Sequence, residues 1–368
     1  MPFSPIPDAI ADIRAGKMVV VCDDEDRENE GDLIMAAEAV TPEAIGFIVR
    51  HSSGIICQPM LHERLEQLRL PPMVPDNTES HRTAFTISVD YRHGTTTGIS
   101  AHDRARTIRA LADPDSQPQD FARPGHIFPL RYTHGGVLIR AGHTEATIDL
   151  VRLAGFKTLS GVLCEVVNDD GTMKRGAALH EFAREHNLKI GTIEDLIRYR
   201  LRTDRSVERV SEQAVDTEFG QFRLYCYQDH VNRDVHLALV RGTVDAGAVP
   251  LVRVHVTDTL RDLVGVQSDR GRPLGDALSR IAAESSGVVV ILRQTEGPRE
   301  LLDAVKSLQA PRARSASEER QVLRTYGIGA QILRDLGVTR MRVLSAPKQM
   351  HGISAFGLEI EDYVDSEP

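Results

Sequence analysis

One residue, Cys22, separates the apolar run Met18-Val19-Val20-Val21 from Asp23-Asp24-Glu25-Asp26-Arg27-Glu28-Asn29-Glu30-Gly31-Asp32. Like charges packed this closely repel one another unless a cation stands among them. A charge run is ordinarily a solvated loop, but this one begins where a buried strand ends, the place at which open α/β sheets put their ligands. Gly31 interrupts it where the backbone calls for a positive φ. Oxygen donors of this kind suit a hard cation, Mg²⁺ or Mn²⁺, which takes one or two protein carboxylates and keeps several waters. The other acids are then free to bind substrate hydroxyls or to move protons.

A second constellation is Arg140-Ala141-Gly142-His143-Thr144, followed by the helical pattern Glu145-Ala146-Thr147-Ile148-Asp149-Leu150. Thr144 can cap that helix, whose free N–H groups attract an anion. Gly142 allows close approach, and Arg140 can grip a phosphate with two hydrogen bonds. A capped helix near an arginine is common, and a lone histidine is ordinarily a satisfied polar residue. Beside the acidic run, however, the segment supplies a carboxylate and imidazole pair for a metal and a grip for a sugar phosphate. His126, in Arg123-Pro124-Gly125-His126-Ile127-Phe128-Pro129-Leu130, and Glu165, closing the apolar run Gly161-Val162-Leu163-Cys164, join them as groups able to transfer protons.

These residues need elements to hold them. The pattern predicts a helix from about Asp8 to Ala15 closed by Gly16, then a strand around Val20. Thr41-Pro42 opens a helix to about His51, and Ser100-Ala101-His102-Asp103 opens another through about Leu111. Helices over about Arg175–His186 and Ile193–Leu201 bracket a short strand at Leu188-Lys189-Ile190. The first half is therefore α/β, with α+β character. Beyond Asp204 short alternating runs, Phe222-Arg223-Leu224-Tyr225 and His236-Leu237-Ala238-Leu239-Val240, predict an α+β second domain. The division is 1–206 and 207–368. Gln309-Ala310-Pro311-Arg312-Ala313-Arg314-Ser315-Ala316-Ser317 reads as a loop.

With 368 residues the chain is long enough for two cores. A formal net charge of −9, with no basic stripe, argues against nucleic acid as a partner. No stretch is long and apolar enough to span a bilayer, and the N-terminus lacks a basic segment before an apolar core, so the chain reads as cytoplasmic. The 4 cysteines, Cys22, Cys57, Cys164 and Cys226, form no C-x-x-C pair. The first three sit in apolar runs, as buried inert thiols do.

The runs Asp23–Asp32, Arg123–Leu130, Arg140–Gly155 and Gly161–Gly171 resemble 3,4-dihydroxy-2-butanone 4-phosphate synthase of riboflavin biosynthesis. So do Thr96-Thr97-Gly98-Ile99-Ser100-Ala101 and Thr192-Ile193-Glu194-Asp195-Leu196. The resemblance covers nearly all of Ile10–Arg200. It implies conversion of D-ribulose 5-phosphate to L-3,4-dihydroxy-2-butanone 4-phosphate and formate with a divalent metal and no organic cofactor. Matched position by position, it implies Glu28 and His143 as metal ligands. Arg27, Glu28, Asp32, Arg140, Ala141, Gly142, His143, Thr144 and Glu165 then contact the substrate or its phosphate, and His126, Glu165 and Asp32 are catalytic. It also places Cys57 near the active site and implies a homodimer with sites at the subunit interface. The chemistry suits this equipment: removing the C3 proton, α to the C2 ketone, makes an enediolate that metal can stabilise, and loss of C4 as formate needs repeated proton transfers. Asp32 and Glu28 are the nearest candidates for the first base.

From about Val207 the chain resembles GTP cyclohydrolase II, through Thr217-Glu218-Phe219-Gly220, Leu251-Val252-Arg253-Val254-His255 and Tyr326-Gly327-Ile328-Gly329. That enzyme holds zinc on three cysteines. Here the first of these positions falls at about Asp258, and Gln267-Ser268-Asp269-Arg270-Gly271-Arg272-Pro273 has none, so no zinc is expected. The nucleotide loop survives only as Leu292-Arg293-Gln294-Thr295-Glu296-Gly297-Pro298-Arg299. Val322 replaces an acid, and Arg324 remains. The second domain is expected not to be catalytic, the alternatives being a bifunctional enzyme or a regulatory nucleotide-binding role.

Overall fold

The computed structural model describes residues 3–24, 27–231, 233–244, 247–266, 273–293, 296–308, 327–345 and 356–364. Glu25 and Asp26 of the acidic run lie outside these residues, as do 267–272, Gln294, Thr295, the expected loop at 309–317, and Val322, Arg324 and Tyr326. The chain divides into two compact units, Met1–Arg200 and Leu201–Pro368.

The first unit is built from α1 (Ile6–Arg14), β1 (Val19–Cys22), β2 (Gly31–Ala36), α2 (Pro42–His51), β3 (Cys57–Met60), α3 (His62–Gln67), β4 (Val89–Tyr91), α4 (Ala101–Ala112), β5 (Phe121–Arg131), α5 (His143–Leu153), β6 (Gly161–Glu165), α6 (Gly176–Glu185), β7 (Lys189–Thr192) and α7 (Ile193–Thr203). Its seven-stranded sheet runs β4-β5-β3-β6-β2-β1-β7. Only β1–β7 and β3–β5 pair in parallel, so the sheet is mixed and the unit is α+β. Because side chains alternate across a strand, Val20, Leu33, Met35 and Cys164 enter a core with Ile45 and Ile48 of α2, Ile108 of α4 and Leu179 and Phe182 of α6. Asp32 and Ile34 point to the opposite face, over which α5 packs.

Local chemistry sets the helix starts. Thr41 Oγ1 accepts from the Ala44 amide at 3.2 Å with Pro42 in the first turn, and Ser100 Oγ accepts from the Asp103 amide at 3.0 Å. Gly16, at φ +75°, closes α1. Two expectations are corrected. Thr144 does not cap α5: the helix begins at His143 with Gly142 as N-cap, so Thr144 is already inside the first turn and buried. Gly31 does not need positive φ; Asn29 takes it, at φ 54°. A Cβ on Gly31 would stand 2.8 Å from both Leu179 Cδ atoms, so close packing against α6 is what requires a glycine there.

The second unit, also α+β, contains β8 (Val207–Thr217), β9 (Gly220–Asp229), β10 (Val235–Arg241), β11 (Leu251–Val256), α8 (Leu274–Ala282), β12 (Gly287–Leu292), α9 (Pro298–Ser307), β13 (Arg340–Val343) and β14 (Glu359–Tyr363). They form a sheet in the order β14-β13-β11-β12-β10-β9-β8, antiparallel from β8 to β12 and parallel from β12 to β14.

Candidate active site

Strand register brings three of the expected catalytic groups onto one row. Phe128, Cys57 and Leu163 lie side by side on β5, β3 and β6. Since β3 and β5 are parallel and β6 opposes them, two residues toward the same end of the strands lead to His126 on β5 and to Glu165 on β6. Asp32 pairs directly with Glu165, and Val21 with Asp32. Val21, Asp32 and Glu165 share the face covered by α5.

The first residue of α5 is His143, buried at 6% exposure. Its Nε2 donates to the Val21 carbonyl at 3.1 Å, which leaves the Nδ1 lone pair facing Glu28 Oε2 at 3.7 Å and Asp32 Oδ2 at 3.8 Å. A ring nitrogen fixed by a backbone acceptor, with the other turned to carboxylates, is the arrangement of a metal-binding imidazole. Asp23, Glu28 and His143 each offer a ligand atom, all within 4.8 Å of one another. Asp32 Oδ1 is buried with no hydrogen-bond partner among the described residues, an acceptor open toward a cation or a substrate hydroxyl. The donor set of oxygens and one imidazole fits a hard divalent ion.

Burial pushes Asp32 up to about 8, against the His143 charge that would lower it. Burial alone would lower His143, but Asp32 and the Glu28 hydrogen bond lift it to about 9. Both groups of the Asp32–His143 couple are thus shifted toward their protonated forms in the metal-free site. Glu28 goes the other way: burial opposes its charge, yet His143 and Arg27 bring it down to about 2.

Asp23 organises the acidic loop, accepting from Arg27 Nη1 at 2.8 Å and from the Glu28 and Glu30 amides at 3.1 and 2.9 Å. Arg27 also reaches Glu28 at 2.9 Å. Arg175 ties the loop to the start of α6 through the Asn29 carbonyl at 2.9 Å. Arg140 is held by buried Glu145 at 2.7 Å, and by His81 and Thr83 at 3.1 and 3.3 Å. A Cβ on Gly142 would stand 2.4 Å from Arg140 Nη1, so this glycine makes room for the guanidinium; Ala141 lies between them in the chain. Glu165 accepts from Ser53 Oγ at 2.6 Å. His126 meets Asp90 twice, backbone amide to Oδ1 at 2.9 Å and Nδ1 to Oδ2 at 2.6 Å. Cys57 is buried, and burial together with Glu165 raises its thiol well above the usual range, which disfavours the reactive thiolate.

Ser53, Asp90 and Glu145 were not singled out from the sequence. Each acquires its partner from a distant segment or through a fold of the loop, and no spacing signals it. A mixed sheet covered on both faces, with carboxylates and an imidazole gathered at one end of its strands beside a helix start, can serve cation-assisted proton transfer on a phosphorylated substrate.

A family model described as 3,4-dihydroxy-2-butanone 4-phosphate synthase matches residues 7–199, and one described as GTP cyclohydrolase II matches residues 208–365. A 3,4-dihydroxy-2-butanone 4-phosphate synthase of Pseudomonas aeruginosa is 51% identical, with 100% of each chain covered. A bifunctional riboflavin biosynthesis protein of Arabidopsis thaliana, chloroplastic, is 50% identical over 97% of this chain and 68% of that protein. Among solved structures, a two-domain 3,4-dihydroxy-2-butanone 4-phosphate synthase from A. baumannii superposes with TM-score 0.81 at 42% identity, covering 99% of this chain and 100% of that one. A synthase of the same name in complex with two magnesium ions aligns with 55% of this chain and 99% of its own, at TM-score 0.53 and 50% identity. The chain belongs to the 3,4-dihydroxy-2-butanone 4-phosphate synthase family and carries a GTP cyclohydrolase II-like second domain. It is an enzyme of riboflavin biosynthesis.

Proposed function

We propose that this chain converts D-ribulose 5-phosphate to L-3,4-dihydroxy-2-butanone 4-phosphate and formate, with domains at 1–206 and 207–368 and all the chemistry in the first. The observation that carries this reading is the buried Asp32 Oδ1, without a hydrogen-bond partner among the described residues and beside His143 Nδ1, with Glu28 and Glu165 adjoining. Glu28 and His143 would hold Mg²⁺ or Mn²⁺, with Asp23 within reach; such an ion supplies positive charge that favours the enediolate of the substrate. Asp32, whose carboxyl burial raises and whose charge a cation on Glu28 and His143 would restore, takes the proton from C3, leaving the electron pair on the substrate. Glu165, held by Ser53, and His126, held by Asp90, move the later protons of dehydration, migration and cleavage. Arg27, Arg140, Ala141, Gly142 and Thr144 form the cradle for the phosphate, supported by the N-terminal amides of α5. The protein works as a homodimer in the cytoplasm.

For the second domain we infer no cyclohydrolase chemistry. Cys226 is the only cysteine after position 206. Asp258, at the first expected thiolate position, is engaged otherwise: its Oδ1 accepts from the Arg261 amide at 3.0 Å and its Oδ2 from Arg261 Nε at 3.1 Å. The name of the Arabidopsis relative keeps a bifunctional reading in view. Offering ribulose 5-phosphate and GTP separately to the full chain, with elemental analysis of the same sample, tests both. Formate from the sugar phosphate alone, without stoichiometric zinc, is expected. Formate from GTP with one zinc per chain would make the enzyme bifunctional.

A further inference from the structure

His126 stands on β5 beside a break in the β4–β5 register, where Val89 pairs with Ile127 but Asp90 pairs with Ala122. Continuing the Val89–Ile127 register would set Asp90 opposite His126, and although the ladder breaks there the side chain keeps the contact: Oδ1 accepts from the His126 amide and Oδ2 from Nδ1. Asp90 is 13% exposed and the His126 side chain 40%, so the ring is anchored on its inner side and open on its outer side. Gly98, at φ +89°, closes over the contact. A Cβ there would fall 2.0 Å from Asp90 Oδ2 and 2.8 Å from His126 Nδ1. The Gly98 amide is itself held by buried Asp103 at 3.1 Å.

We propose that Asp90 is a positioning residue that fixes the proton of His126 on Nδ1 and so presents Nε2 as the proton-accepting atom. This rests on the reading of His126 as essential for turnover. A carboxylate only accepts, so the ring nitrogen facing it must carry the proton. When a proton leaves the substrate for Nε2, its electron pair stays on the substrate, and the imidazolium formed is stabilised by the adjacent carboxylate.

The amide of asparagine cannot reproduce this. The His126 backbone N–H always donates, so the one carboxamide oxygen of Asp90→Asn must face it. The NH₂ group then points at Nδ1 and demands an acceptor there, which moves the ring proton to Nε2. The near-isosteric change should therefore harm more than truncation, since Asp90→Ala leaves both tautomers accessible. A merely structural role predicts the reverse order.

The test measures kcat and KM of formate release for the full-length wild type, Asp90→Asn, Asp90→Ala and His126→Ala with Mg²⁺ present. ¹⁵N-histidine NMR reads the tautomer of His126. We expect kcat of Asp90→Asn to fall by about 100-fold or more with KM little changed, Asp90→Ala to fall less, and the ring proton to move from Nδ1 to Nε2 in the asparagine variant. Should Asp90→Asn fail to fold, Asp90→Ala showing a mixture of tautomers where the wild type shows Nδ1–H alone carries the same prediction. Wild-type turnover in Asp90→Asn, or an Nε2–H ring in the wild type, overturns the proposal while an inactive His126→Ala leaves the reading of His126 standing. Normal turnover in His126→Ala would remove that reading and the proposal with it.

Discussion

The Nδ1 lone pair of His143 has two claimants, a proton and a cation. With Nε2 committed to Val21 and Asp32 and Glu28 on the other side, the metal-free imidazole holds its proton up to about 9. A cation must displace it, so affinity for Mg²⁺ should rise with pH, by up to tenfold per unit below that value, and binding at pH 7 should release about one proton. Calorimetry in buffers of differing ionisation heat measures this; affinity independent of pH between 6.5 and 8.5 would contradict it. The same site predicts a division among variants. Glu28→Gln and His143→Ala should lose metal and turnover together, whereas Glu165→Gln should lose turnover by about 100-fold or more while still binding metal. Equilibrium Mg²⁺ binding beside rate measurements separates the two groups.

At the scale of elements, the site depends on how α5 lies on the sheet, because His143 is its first residue. Gly161 on β6 allows that approach: a Cβ there would stand 2.4 Å from Thr147 Cγ2 and 3.0 Å from the Met35 carbonyl. Gly161→Ala should destabilise by about 1–3 kcal/mol and weaken metal binding, since relief must come from moving α5. Thr41→Ala removes a cap on a helix away from that seam and should cost about 1 kcal/mol without changing metal affinity. Thermal unfolding with Mg²⁺ titration distinguishes them. These elements differ in how far the sequence reveals them. The Thr41-Pro42 and Ser100 starts are local, written in adjacent residues, and the sequence shows them to within a residue or two. The requirement at Gly31 is not local: its reason is Leu179, far along the chain, and the positive φ falls on Asn29 instead. Likewise the acidic run announces Glu28 and Asp32, but the Asp90–His126 contact joins β4 to β5 through a strand pairing that no motif marks.

For the whole molecule, every group assigned to the reaction precedes Arg200, within a unit that has its own sheet and core. A chain ending at Ser206 should therefore keep turnover within about tenfold of the full enzyme, with any change confined to stability or association. A folded, metal-binding truncation without activity would show that the second unit completes the site. The central claim, that the first unit carries out metal-dependent excision of one carbon from a sugar phosphate, is tested most directly by following D-ribulose 5-phosphate labelled with ¹³C at C4. With Mg²⁺ and full-length protein, the label should appear in formate and be absent from the four-carbon phosphate, and His143→Ala should produce neither. Label retained in the four-carbon product, or labelled formate released at the full rate by protein stripped of divalent metal, would contradict it.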